Sequence, residues 1–247
     1  MSAFDLGLSV PLYNEEALAG PVVDDMLAAC AAAGLRLVVA AVDNGSADGT
    51  AGVIAALAER HGPAVLPVSL RDNAGYGGGI QAGLRALLSG PRPPVLGWAW
   101  GDGQVDPGVL GVLHGLCAGG ADLAKARRMD RRDGLQRLAV TTLYAATLRA
   151  LGVRTPDVNG CPKLFPVAVL EELALQSVDW FLDPEAVIAL EARGARIEDA
   201  PVVMLPRQAG RSKVRGTTVA EFARTLLAWR ILGRPAVGRS GGGDVGG

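Results

Sequence analysis

Several things are scarce in this 247-residue chain, and each scarcity removes a class of function. Cysteine occurs three times, as Cys30, Cys117 and Cys161, far apart and in no metal-ligand spacing. These read as reduced thiols rather than a disulfide framework or a zinc site. Neither sign of charge dominates: 24 Lys and Arg stand against 25 Asp and Glu, for a net charge of -1 and a pI near 6.1. Nothing therefore draws nucleic acid to the surface as a whole. No apolar run approaches the roughly 18 residues of a membrane span, and no leader pattern opens the chain. The expectation is a cytoplasmic protein, neither secreted nor membrane-spanning. Histidine is limited to His61 and His114, both in helical segments away from the motifs below, where packing or surface roles are expected.

What is present is alternation. Apolar segments at Leu6 to Leu12, Leu35 to Val42, Ala64 to Leu70 and Val95 to Trp100 read as strands. The second is a nearly continuous apolar run, as in a parallel strand covered on both faces. Between and after them, Glu15 to Ala33, Thr50 to His61, Ile80 to Leu88 and about Pro107 to Ala118 read as helices. This order argues for a single α/β domain, a mostly parallel sheet with helices on both faces and right-handed crossovers. We expect it over residues 1–232, with a nucleotide-binding half (1–120) and an acceptor-side half (121–232). In the second half a basic segment, Lys125 to Arg137, follows the fifth strand. A helix to about Leu151, the loop Thr155 to Pro162, another helix, a strand at Ile197 to Leu205 and a last helix over about Val219 to Leu232 complete the pattern. Residues 233–247 have too little apolar content to pack and read as a disordered tail.

Ligands of open α/β sheets bind beyond the carboxyl ends of the strands. Here those ends read PLYNEE, VDNGSADGT, RDNAGYGGGI and GDGQVDP. Any one could be a turn with a helix cap, but four polar ends on one rim mark a polar ligand site. The glycines of AGYGGG follow the third strand and do not complete G-x-G-x-x-G, and no G-K-[ST] occurs, so redox and NTP-hydrolysis readings are weak. What remains is a nucleotide held by carboxylates and amides, with a metal near Asp102 neutralising a diphosphate.

The ordered series VPLYNEE, VDNGSADGT, N-x-GYGGG-x-x-AG, DGQ-x-DP, NGCPKLF, FLDPE and GRSKV, from about Leu8 to Val214, resembles the family 2 glycosyltransferases of GT-A fold. It is most similar to the branch of dolichyl-phosphate mannose and polyprenyl-phosphate glucose synthases. The resemblance implies a UDP- or GDP-sugar donor, Mg²⁺ or Mn²⁺, and inversion at the anomeric carbon. By position it implies that Pro11, Tyr13, Asn14 and Glu15 border the nucleoside, with Asp43 on the base and Gly45 and Ser46 beside it. Where the family commonly has a second acid, this chain has Asn44, which leaves the base identity open. Asn73, Gly75, Gly77 and Gly78 would let backbone approach the donor, or else permit tight strand-to-helix packing.

Family members usually read D-x-D-G-Q, whereas this chain reads W-G-D-G-Q, with Trp100 in place of the first acid. The metal would then rest on Asp102 and Gln104, flanked by Gly101 and Gly103, with diphosphate oxygens and waters completing its shell. The resemblance gives Lys125, Arg127, Arg128, Arg131, Arg137, Lys163, Arg211, Ser212 and Lys213 to the donor diphosphate and an acceptor phosphate, with Arg127, Arg211 and Lys213 foremost. For Lys125, Arg127, Arg128, Arg131, Arg132 and Arg137 a solvated charged face is the alternative. Asp183 and Glu185 of WFLDPE are the candidate bases for a hydroxyl acceptor, or simply favourable charge at a helix N-terminus. A polyprenyl phosphate acceptor would need no base, since its second ionisation lies near pH 6.

The segment TTVAEFARTLLAWRIL could lie in the bilayer interface at the inner face of the membrane, pack on the domain, or form a partner interface such as a homodimer. Three readings stand: a polyprenyl-phosphate sugar synthase, a soluble transferase acting on a hydroxyl of a small metabolite, and a non-catalytic nucleotide-sugar-binding module.

Overall fold

The computed structural model describes residues 2–129, 148–149 and 153–206. Within them the chain builds one seven-stranded sheet flanked by helices. The elements are β1 (Leu6–Leu12), α1 (Glu16–Ala32), β2 (Leu37–Asn44), α2 (Thr50–His61), β3 (Val65–Leu70), α3 (Gly75–Ser89) and β4 (Val95–Trp98). They continue with α4 (Val109–Ala118), β5 (Leu123–Arg128), β6 (Lys163–Pro166), α5 (Val167–Leu173), α6 (Leu182–Glu191) and β7 (Ile197–Val202).

The strands lie in the order β3-β2-β1-β4-β6-β5-β7. Every pair is parallel except the two that β6 makes, with β4 and β5. The α/β expectation therefore holds, with one antiparallel strand threaded into the middle of the sheet. Chain order reverses at β1, which has β2 on one side and β4 on the other, and the crevice at such a switch point is where α/β sheets bind ligands. PLYNEE and GDGQ end the two strands that border it.

Strand geometry divides the core in two. Alternate side chains point to opposite faces, so Leu37, Val39 and Ala41 of β2 join the cluster under α1, α2 and α4. Val38 and Ala40 join the cluster under α3, α5 and α6. All eight residues of β2 are buried, which its unbroken apolar sequence required. Among the described residues no helix is long and apolar enough to cross a membrane.

Several boundaries differ from the sequence expectation, four of them beside the candidate site. Helix α3 starts at Gly75, so the glycine run forms its first turns rather than a loop. A Cβ on Gly77 would meet the carbonyl oxygens of Ser177 and Asp179, and the Gly78 N–H donates to Val178 O at 2.9 Å. Tight packing against the 177–179 backbone is thus one reason for these glycines. Strand β4 stops at Trp98, two residues early. The basic segment begins inside β5 rather than after it. Lys163–Pro166, which follows the expected loop where a helix was expected next, is strand β6. The segment 219–232 and the tail 233–247 lie outside the described residues.

Gly97 of β4 pairs with Leu8 on one side and Leu164 on the other. A Cβ there would run into the carbonyl of Lys163, which is ladder backbone and cannot step aside. Gly97→Ala should cost about 2–3 kcal/mol by overpacking, read as a lower urea midpoint with an unchanged slope.

Candidate active site

The half of the rim expected to hold the nucleotide is made of loops that cap one another. Asn14, at φ 51°, donates its N–H to Ser46 Oγ (3.0 Å) and accepts the Ala47 N–H on Oδ1 (2.8 Å). The Glu15 N–H donates to Thr50 Oγ1 at 2.9 Å, and Glu16 Oε2 accepts the Gly49 N–H at 3.0 Å. Asp43 is buried at the end of β2 and accepts the Ser46 N–H at 2.9 Å. The loops after β1 and β2 are thereby fixed to each other.

Asn44 has a different task from the one expected of it. Its amide donates to Gly75 O (3.0 Å) and Asn73 Oδ1 (3.3 Å), and its oxygen accepts the Ala74 N–H (3.1 Å). Both ends of the buried side chain are spent on holding residues 73–75 at the entrance to α3. An acid there would lack the two donors, which accounts for the amide without reference to a base.

At the end of β4, Asp102 Oδ1 accepts the Gln104 N–H at 3.2 Å across Gly103, whose φ is 67°. Gly101 packs so closely on β1 that a Cβ would lie 2.5 Å from Leu12 Cδ2 and 3.0 Å from Pro11 O. The two expected metal ligands share this turn, although the Gln104 amide also donates to Leu205 O at 3.4 Å. No group of three or more His, Cys, Asp or Glu able to hold a metal occurs among the described residues. One carboxylate fits a hard cation that shares its shell with a diphosphate and waters, and does not fit an all-protein cage.

The half expected to face the acceptor is built on buried charge. Lys163 of β6 and Asp183 of α6 form an ion pair at 2.6 Å with side chains 0% and 3% exposed. Lys163 Nζ also donates to Gly160 O at 2.6 Å. Asp183 Oδ1 accepts Trp98 Nε1–H at 3.1 Å, and Oδ2 accepts the Tyr76 hydroxyl at 3.1 Å. Tyr76 in turn accepts Trp100 Nε1–H at 3.2 Å and stacks on Trp180, ring centroids 4.3 Å apart. Burial first, and then the Asp183 charge, pushes the Tyr76 hydroxyl well above its usual pKa.

This geometry corrects two expectations. Lys163 is not a solvent-facing phosphate ligand, because its ammonium is enclosed and paired. Asp183 and Glu185 are not poised as bases: Asp183 faces Lys163, Trp98 and Tyr76, while Glu185 accepts the N–H groups of Gln176 (3.0 Å) and Ser177 (2.9 Å). They do stand in the first turn of α6, where negative charge is favoured.

Lys125 is likewise fully buried, donating to Pro156 O (2.7 Å) and Asp157 O (3.2 Å). Burial, reinforced by the Lys163 charge, lowers its pKa to about 8. Arg128 grips Asp157 through Nε (3.0 Å) and Nη2, and its guanidinium lies 5.4 Å from the centre of the Trp100 ring. Arg127 is more exposed and pairs with Asp199 at 3.0 Å. Arg131, Arg132, Arg137, Arg211, Ser212 and Lys213 lie outside the described residues. His61 pairs with Asp24, and the three cysteines are buried and free.

Tyr76, Trp98 and Asp157 are site residues that the motifs did not single out. Tyr76 stands inside the quoted GYGGG, but nothing in the sequence ties it to Asp183, 107 positions away.

The family model for glycosyl transferase family 2 matches residues 8–174, the span that carries β1 to α5 and most of this rim. The chain belongs to glycosyl transferase family 2. Among family members, a dodecaprenyl-phosphate galacturonate synthase of Rhizobium johnstonii is 28% identical over 216 residues, covering 86% of this chain and 62% of its own. An undecaprenyl-phosphate 4-deoxy-4-formamido-L-arabinose transferase of Pseudomonas paraeruginosa is 33% identical over 153 residues, 62% of this chain and 44% of its own. The chain thus spans less than two thirds of either relative. Among solved structures, glucosyl-3-phosphoglycerate synthase of Mycobacterium tuberculosis, crystallised with Mn²⁺, UDP and glucosyl-3-phosphoglycerate, superimposes with a TM-score of 0.63. It is 19% identical, with 97% of this chain and 82% of that chain covered, so what the two share is the fold.

Two outcomes follow from the buried charges. Asp183→Asn leaves the Lys163 ammonium enclosed without a counter-charge and should cost about 3–5 kcal/mol, whereas replacing the pair by Met and Leu should cost less; urea unfolding of the three proteins checks this. For Lys125 the folded pKa, about 8, lies below the ordinary 10.5, so the unfolded chain holds the proton over pH 8–10.5 when the folded one does not. Stability should therefore rise with pH across that window relative to Lys125→Met, the sign opposite to a stabilising ion pair. Paired unfolding midpoints at pH 8 and pH 10 give the comparison.

Proposed function

We propose that this chain is an inverting sugar transferase that moves a sugar from a nucleotide-diphosphate donor to the phosphate of a polyprenyl phosphate. The observation that carries the reading is the engagement of both candidate bases. Asp183 and Glu185 are buried, and the oxygens of each face donors of the protein itself. A hydroxyl acceptor needs a base within hydrogen-bond reach. A phosphate monoester is doubly ionised at neutral pH and needs none. The two prenyl-phosphate relatives support the same acceptor.

In this reaction an acceptor phosphate oxygen forms the new bond to the anomeric carbon as the bond to the β-phosphate oxygen breaks. The nucleoside diphosphate leaves with the electron pair and its negative charge. A divalent cation at Asp102, when bound, supplies Lewis-acid stabilisation of that diphosphate. The chain's own part is to hold the nucleoside along the loops after β1 and β2, and to balance the phosphates with the cations at the end of β5.

The test is transfer from UDP- and GDP-sugars with Mn²⁺, offering undecaprenyl phosphate or 3-phosphoglycerate as acceptor. The expected product is an acid-labile prenyl-phosphate sugar, with kcat/KM rising as the acceptor ionises near pH 6. Transfer to the hydroxyl of 3-phosphoglycerate alone would overturn the acceptor, and donor binding without turnover would leave a nucleotide-sugar-binding module.

A further inference from the structure

The residue that breaks the family's acidic pattern does more than fill space. Trp100 is anchored at its N–H by the Tyr76 hydroxyl, which donates to Asp183, which is paired with Lys163. Its ring face lies against the Arg128 guanidinium. On the other side Arg128 is gripped by Asp157: Nε reaches both carboxylate oxygens, Nη2 reaches one, and the Arg128 backbone N–H donates to the same group at 2.9 Å. A guanidinium has five N–H donors in a fixed plane. With Nε and Nη2 turned to Asp157, no acceptor among the described residues bonds Nη1, and the side chain keeps 16% of its surface exposed.

We propose that Trp100 is a positioning residue that aims the Nη1 edge of Arg128 at the phosphates of the bound nucleotide diphosphate, so that this arginine carries part of the charge stabilisation the missing acid would otherwise assign to the metal. The inference rests on the proposed nucleotide-sugar donor.

Three arguments support it. An aromatic face orients a cation without neutralising it, whereas an acid at position 100 would draw Arg128 into a second ion pair and compete with phosphate for it. The surroundings also favour an anion. Among the described residues the carboxylates bonded to Lys125, Arg127, Arg128 and Lys163 are Asp157, Asp183 and Asp199, and Lys125 donates to the carbonyl oxygens of Pro156 and Asp157. Among the described residues the cations of this cluster thus outnumber the carboxylates bonded to them by one. Finally, Trp100 is two residues from Asp102, so the cation and the single metal-ligand carboxylate serve one stretch of rim.

The experiment is calorimetric titration with UDP and with GDP, in EDTA and in Mn²⁺, on the wild type, Trp100→Phe, Trp100→Ala, Trp100→Asp, Arg128→Lys and the Trp100→Ala/Arg128→Lys double variant. Circular dichroism and thermal midpoints establish which variants fold. The wild type should bind one nucleotide measurably in EDTA. Arg128→Lys, which loses the planar fork, and Trp100→Ala should each weaken that metal-free binding about tenfold. Trp100→Phe, which keeps a ring under the guanidinium, should retain most of it. Trp100→Asp should lose metal-free binding and steepen the dependence on Mn²⁺.

The decisive readout is coupling. If Trp100 acts through Arg128, the double variant should be little weaker than either single one; if Trp100 merely packs, the two losses multiply. Multiplying losses, metal-free binding untouched by Trp100→Ala, or wild-type binding seen only with Mn²⁺ would each overturn the proposal while leaving the donor reading intact. No binding of either nucleotide under any condition would overturn both.

Discussion

The Lys163–Asp183 ion pair is the interaction on which the half of the rim around β6 and α6 depends. Two charges removed from water are tolerated only when their remaining hydrogen-bonding capacity is met, and here each neighbour that meets it comes from a different element. Gly160 supplies a carbonyl from the loop before β6, Trp98 an indole N–H from β4, and Tyr76 a hydroxyl from α3. Satisfying one buried pair therefore pins the middle of the sheet to two helices and a loop. The pair also explains why β6 can sit antiparallel between β4 and β5: its first residue is held from beneath by α6 as well as by the ladder.

The two halves of the rim are fixed by different physics. At the ends of β1 and β2, short polar side chains cap backbone N–H groups, Asn14 and Glu16 those of the neighbouring loop and Asp43 one in its own. Such bonds are local, neutral or partly exposed, and each contributes little. On the acceptor side the fixing groups are enclosed cations and carboxylates, where loss of one partner leaves the other stranded. Changes in the first half should alter recognition with modest effect on stability, and changes in the second should alter both together.

How much of this was legible in the sequence depended on how local the cause was. Strand β2 and helix α2 were readable because a run of buried apolar residues and a helical period are self-contained signals. The four polar strand ends were readable for the same reason, and they lie on one edge because β1 to β4 run parallel. Helix α3 was cut short because Gly75 to Gly79 disfavour a helix on propensity alone; the carbonyls of residues 177–179, a hundred positions on, make glycine the residue that fits. Strand β6 was invisible because it is short and opens with a lysine, and a buried lysine contradicts the apolar pattern by which strands are found. The roles given to Asn44, Lys163, Asp183 and Glu185 came from motif positions, which say which residues gather and not which way their hydrogen bonds run.

Trp100 shows how an altered motif position can be accommodated without a gap. Exchanging an acid for an indole removes a charge and adds a large ring, and the ring must find partners if it is to leave the strand end in place. It finds an acceptor for its N–H in the Tyr76 hydroxyl and a cation in Arg128, both already held by carboxylates deeper in the fold. Neither contact would exist if β5 ended before Arg128 or if α3 began at Ile80. The substitution is thus consistent with the two boundaries that the sequence pattern misplaced, and the rim carries its charge on the side of β5 rather than on that of β4.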